Sequence, residues 1–254
     1  MELEGIKGNF DAIYSLGHNC LPGVQMAKNG LRHYAGVIDW MGSPLLSGVS
    51  NLLRNRFAHF MELRNMSITG IDPNAGCYLV RDAAYHIISN HDFSLETNMP
   101  SQILTYPQFR EKIDRRIARF HEKLQTSSRM LFIRTEASLT EAQELQEVIR
   151  GLRPHGDFRI LVVNHAPVQG LTELHWPLER VCAVKFRRRR TCSTRTTSCG
   201  VPCCPASCMS DPPAARFKYK NPQTHNNFSA SGINAHHPWA PVTYIGVESR
   251  VRYL

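Results

Sequence analysis

An α/β fold, with a mixed, mainly parallel sheet flanked by helices, is what this sequence predicts for roughly its first 180 residues, and three observations predict it. RMLFIRT (129–135) and FRILVVN (158–164) are unbroken apolar runs, the pattern of strands buried on both faces. Between them SLTEAQELQEVIRGL (138–152) puts Leu145, Val148, Ile149 and Leu152 on one helical face. A strand–helix–strand unit of this length implies parallel neighbours and a right-handed crossover. Near the start, DAIYSLG (11–17) is a short apolar strand that stops at Gly17 and turns into a helical pattern.

In that helical pattern Leu21, Val24, Ala27 and Leu31 form the expected inner stripe, Pro22 suits a first turn and Gly30 suits the end. VIDWMGSP (37–44) reads as a loop with apolar anchors. A second helix is predicted from Ser43, a plausible cap before Pro44, through Leu63. Its stripe is Leu45, Val49, Leu52, Leu53, Phe57 and Phe60. CYLVRD (77–82) and AYHIISNHDF (84–93) read as two strands of a hairpin turning near Asp82, and a polar loop leads to Thr105. From Tyr106 to Leu124 the spacing of Phe109, Ile113, Ile117, Phe120 and Leu124 predicts a helix, with the charges between Arg110 and Lys123 forming a solvated face. Thr140 followed by Gln143 suggests a capping box for the next helix, and Gly156 and Asp157 turn the chain into the following strand. ERVCAVKF (179–186) reads like one more strand starting.

Charge divides the chain. Residues 181–254 hold eleven Lys/Arg against Asp211 and Glu248, which accounts for the entire net charge of +9, and the remainder is neutral. A neutral body offers no reason to expect nucleic acid as its partner, so such binding is expected only through the basic tail. The expected organisation is one α/β domain over 1–182 and a Cys-, Pro- and Ser-rich tail over 183–254, either disordered or the product of a shifted frame or mispredicted exon. Within the tail, RRRR (187–190) has the look of a polyanion-binding or nuclear patch. Cys192, Cys199, Cys203, Cys204 and Cys208 crowd together without the paired spacing of a zinc site, so no metal is expected, and no cofactor. His33, His86, His121 and His165 show no metal spacing either. No run of eighteen apolar residues exists, and MELEGIKGNF lacks the charged start and apolar stretch of a secretory signal. The expectation is a cytoplasmic protein without a membrane span.

Cys20 is the main candidate for chemistry. At a helix start, unpaired amides and the helix dipole stabilise a thiolate, and the same amides can donate to an oxyanion. Gly17, His18 and Asn19 share that turn. The competing reading makes Cys20 a small buried core residue. A thiol nucleophile needs a base, and His91 is the candidate; the base needs an orienting group, for which Asp92, Asn164 and Asp39 are available. Asp92 follows His91 directly and would point to the opposite face of a regular strand. Arg134 could bind an anion or carboxylate, or form a structural ion pair.

Taken together, Ser15-Leu16-Gly17, Cys20, Leu31-Arg32 and Asp39-Trp40 resemble the opening of a family known from bacterial genomes as papain-like cysteine peptidases. A later strand running into His91-Asp92-Phe93, and the helix Arg115-Arg116-x-x-Arg119-Phe120 followed by Leu131 to Arg134, match as well. Ile38 stands where that family usually has Phe. The resemblance spans roughly 11–165 and implies Cys20 as nucleophile, His91 as base, and a peptide or other carbonyl-containing substrate. It also raises a papain-like α+β architecture as the alternative fold. Two other functions stay open. One is a Rossmann-like domain that cradles an anion, nucleotide sugar or glycan on the 15–20 turn without thiol chemistry, and the other is a truncated inactive product.

Overall fold

The computed structural model describes residues 1–187 and the backbone of Thr243–Ile245. The chain opens with β1 (Gly8–Phe10), β2 (Ala12–Ser15) and α1 (Leu21–Lys28), followed by β3 (Met41–Gly42) and α2 (Leu46–Arg54). Next come β4 (Met66–Asp72), β5 (Cys77–Asp82), β6 (Ile88–Ser89) and α3 (Tyr106–Thr126). The strand–helix–strand unit is β7 (Arg129–Thr135), α4 (Leu139–Leu152) and β8 (Asp157–His165). β9 (Thr172–Glu173), β10 (Val181–Phe186) and β11 (Thr243–Ile245) complete the set, β11 pairing antiparallel with β1.

The main sheet has the order β2-β7-β8-β10-β9, with the first four strands parallel and β9 antiparallel, so the α/β class and the parallel β7–α4–β8 unit are as predicted. The apolar runs are continuous because both faces are covered. Along β7, Met130 and Phe132 join a core with α2, α3 and α4, while Leu131 and Ile133 join a smaller one with Ile6, Phe10 and Met26 of α1. A second, antiparallel sheet of order β3-β6-β5-β4 lies in the long connection between β2 and β7. The predicted hairpin is β5–β6, though the second strand shrinks to two residues. β4 was missed, because a bulge between Ile68 and Gly70 interrupts its pairing and leaves Ile71 exposed.

Several local expectations are corrected. α1 buries Pro22, Gly23 and Met26 rather than Val24 and Ala27. Its end is as expected: Gly30 (φ 69°) follows the cap, Leu31 N–H donates to Met26 O (2.8 Å) and Gly30 N–H to Ala27 O (3.2 Å). α2 does not reach Leu63. It stops at Arg54 through the same motif, with Arg56 (φ 52°) in the glycine position and Phe57 N–H donating to Leu52 O (2.9 Å). Phe57 and Phe60 are buried all the same, because tertiary bonds replace helical ones: Tyr85 Oη donates to Ala58 O (2.7 Å) and Met61 N–H to Asp82 Oδ2 (2.7 Å). Ser43 does not cap α2; Leu45 sits there without a side-chain cap. The capping box of α4 is Ser138 with Glu141, not Thr140 with Gln143. The tail residues beyond 187, with RRRR from 188 onward and Cys192 to Cys208, lie outside the described residues, as does the expected disorder there. Cys182 belongs to the sheet, buried in β10 beside β8. No helix among the described residues is long and apolar enough to cross a membrane.

Candidate functional site

β2 ends at the rim formed by the carboxyl ends of the parallel strands, and the turn from Leu16 to Cys20 is tied down there on three sides. Leu16 N–H donates to Ile133 O (2.8 Å) and Thr135 N–H to Gly17 O (3.0 Å), extending the β2–β7 pairing past the strand. Ser43 N–H donates to His18 O (2.7 Å), which ties the turn to the end of β3. Arg134, fully buried, closes the third side: Nη1 donates to Leu16 O and Ser43 Oγ, and Nη2 to Ser43 O, all at 2.8 Å. Gly17 (φ 80°) has no alternative, since a Cβ there would overlap Ser43 Oγ.

Two further backbone donors at the turn are taken by side chains. Gly17 N–H donates to Ser15 Oγ (3.2 Å) and Leu21 N–H to Asn19 Oδ1 (2.9 Å). Cys20 (φ −70°, ψ −10°) is the N-cap of α1 and its carbonyl accepts the first helical bond, from Val24 N–H (3.0 Å), while the side chain of Asn19, one residue earlier, takes the Leu21 N–H. Pro22 has no N–H, which leaves Gly23 as the first-turn donor beyond Cys20. The Cys20 residue is 6% exposed. Cys77 and Cys182 are also buried, and neither forms a disulfide; burial, then Asp92 and Asp72, pushes the Cys77 thiol up, and burial pushes Cys182 up to about 12. Both are poor thiolates at neutral pH.

His91 lies two residues past β6, and β6 pairs with β3, so its segment adjoins the one that holds the cysteine turn. Trp40, immediately before β3, meets the His91 ring edge-on at 6.3 Å between centroids. Burial lowers the His91 pKa below its ordinary value, with Asp92 and Asp72 acting in the opposite direction. Asp92 accepts from Ser89 Oγ (2.5 Å) and pairs with Lys112 of α3. Asp39 is 1% exposed; its Oδ2 accepts from Arg32 Nε and Gly36 N–H, both at 2.8 Å, while Oδ1 is buried without a hydrogen bond. It packs on α1 at Gly23, where a Cβ would meet Asp39 at 3.3 Å.

Other candidates are differently employed. The Asn164 amide is engaged by the Ala137 backbone in both directions (2.9 and 2.8 Å), and Arg134 by the backbone and Ser43. His165, read as bland, pairs with Glu136 (φ 57°) at the same rim, and Glu136 also feels His18. Sequence reasoning named Arg32 as part of a motif but gave it no role; its guanidinium lies 5.2 Å over the Trp40 ring. It missed Ser43 as a polar anchor and counted Arg116, which is half-buried, in a solvated face. The Ser43 contact joins segments 91 residues apart, and Arg32 meets Asp39 and Trp40 across an irregular loop, so no helical or strand spacing signals either.

A family model described as "Putative papain-like cysteine peptidase" matches residues 11–167, from the start of β2 to just past β8. No curated protein matches the chain, and no solved structure does.

Proposed function

From the premise that this chain belongs to the family of papain-like cysteine peptidases, we propose that it is a thiol hydrolase in which Cys20 attacks a carbonyl and His91 accepts the thiol proton. What supports this reading is one arrangement: a cysteine that opens a helix at a strand's carboxyl end, held through Ser43 and β3 to the segment that carries His91. In the mechanism, His91 takes the Sγ proton and the thiolate adds to the acyl carbon. The Gly23 N–H and the helix dipole stabilise the oxyanion. The protonated imidazole then gives its proton to the leaving group, and water releases the acyl product. Burial keeps His91 neutral near pH 7, the form a base requires. Asp92, already paired with Lys112, raises its basicity through space, while the buried Asp39 is the second candidate to orient it. Peptides are the substrate class that the family suggests.

The test is alkylation of individual cysteines by iodoacetamide across pH, read by peptide mass mapping. Cys20 is expected to react with an inflection well below the roughly 8.5 of a free thiol, and His91→Ala to move that inflection upward. Cys77 and Cys182 are expected to stay unmodified at neutral pH. A Cys20 that resists the reagent until the protein unfolds would overturn the proposal.

A further inference from the structure

One face of α3 points charge at the candidate site, contrary to its reading as a wholly solvated stripe. Lys112, Arg116 and Arg119 recur at helical spacing, and all three are half-buried, whereas Arg115 is exposed and pairs with Glu111 (3.6 Å). The outer two are anchored. Lys112 pairs with Asp92, next to His91. Arg119 lies 5.5 Å over the Tyr34 ring and its Nη1 donates to Ala35 O (3.5 Å), in the segment that leads to Asp39 and Trp40. Arg116 is one turn from Lys112 and so is held between the two segments that frame His91. Among the described residues it makes no hydrogen bond or ion pair.

Arg32 is the second cation there. Its Nε is occupied by Asp39, but its Nη2 is buried and has no hydrogen-bond partner. Two guanidinium groups with donors to spare, next to an aromatic ring, suit a planar carboxylate. The acids nearby are engaged through at least one oxygen: Asp92 by Lys112 and Ser89, Asp39 through Oδ2 by Arg32 and Gly36, and Asp72 by the Asn74 and Ala75 amides (2.9 and 3.2 Å). We infer that Arg116, with Arg32, forms a carboxylate-recognition subsite beside Trp40 and His91 that takes an acidic group of the substrate. Arg116 lies within electrostatic range of Asp92, Asp39 and Arg32, and burial lowers its pKa, as expected for a guanidinium that is partly desolvated and lacks a direct counter-ion. Assigning the carboxylate to an acyl substrate rests on the thiol-hydrolase reading; the anion site itself does not.

The experiment follows the Trp40 indole N–H resonance, assigned with Trp40→Phe, in the full-length protein. N-acetylglycine probes for a terminal carboxylate, acetyl-aspartate N-methylamide for a side-chain one, and N-acetylglycinamide is the neutral control. A saturable shift with at least one of the anions and none with the control is expected. Arg116→Gln should weaken it at least about tenfold, the loss of a charge-assisted pair, and Arg115→Gln should leave it unchanged. Absence of saturation, an equal response to the neutral control, or an undiminished shift in Arg116→Gln overturns the subsite. If the anion shift behaves as expected while Cys20 fails to ionise early, the thiol reading falls and the anion site stands. If Cys20 ionises early and Arg116→Gln changes nothing, the reverse holds.

Discussion

Individual side chains carry the precision of the site. Arg134 has its two terminal nitrogens satisfied by Leu16 and Ser43, and burial lowers its pKa to about 10. Removing one acceptor strands part of a buried cation. Ser43→Ala is expected to lower stability by about 1–3 kcal/mol, measured by denaturant unfolding, with a larger loss for Gly17→Ala, where φ and Ser43 both exclude a side chain. His91 offers a second check. Burial lowers its pKa, so the native state favours the neutral ring. Its contribution to stability is present above the unfolded value of about 6.5 and is lost as pH falls through the folded value. NMR titration should place His91 below 6.5, and Asp92→Asn should move it further down, because the Asp92 charge opposes the effect of burial.

At the scale of elements, what the sequence disclosed depended on where the backbone bonds go. β7, α4 and β8 are satisfied within themselves or by adjacent strands, and their apolar periodicity marked them almost to the residue. α1 and α2 end by the same C-terminal motif, yet only the first was legible, because Gly30 announces it and Arg56 does not. An arginine at positive φ carries strain that glycine relieves. Arg56→Gly is therefore expected to stabilise the protein by about 0.5–1 kcal/mol, seen as a raised thermal midpoint. β4 escaped notice through its bulge, and β3 because two residues make no pattern. The same reasoning explains the site: Cys20 was visible from its strand-to-helix context, whereas Arg32, Trp40 and Arg116 gain their meaning from irregular segments, the loop of Gly36 to Trp40 before β3 and the one that carries His91 and Asp92 after β6.

For the molecule as a whole, the five-stranded sheet and both apolar cores are assembled from residues 1–187. β10 extends the sheet to Phe186, which stands opposite His165, and places Val181 and Ala183 in one core and Cys182 and Val184 in the other. We propose that this span is the folding unit. A chain ending at Arg187 is expected to unfold cooperatively with a midpoint within a few degrees of the full protein, whereas one ending at Arg180 strips an inner strand and should fail to fold. Calorimetry of the two truncations decides this, and a full-length midpoint far above that of the 1–187 chain would show that the remaining residues contribute to the fold.

The clamp that Arg134 places on Leu16 and Ser43 joins positions 118 and 91 residues apart. A chain emerging from the ribosome has made the cysteine turn long before it has made its fastener. Until β7 has left the exit tunnel, the nascent protein holds a thiol without a fixed geometry around it, so the centre is completed only after most of the domain has been synthesised.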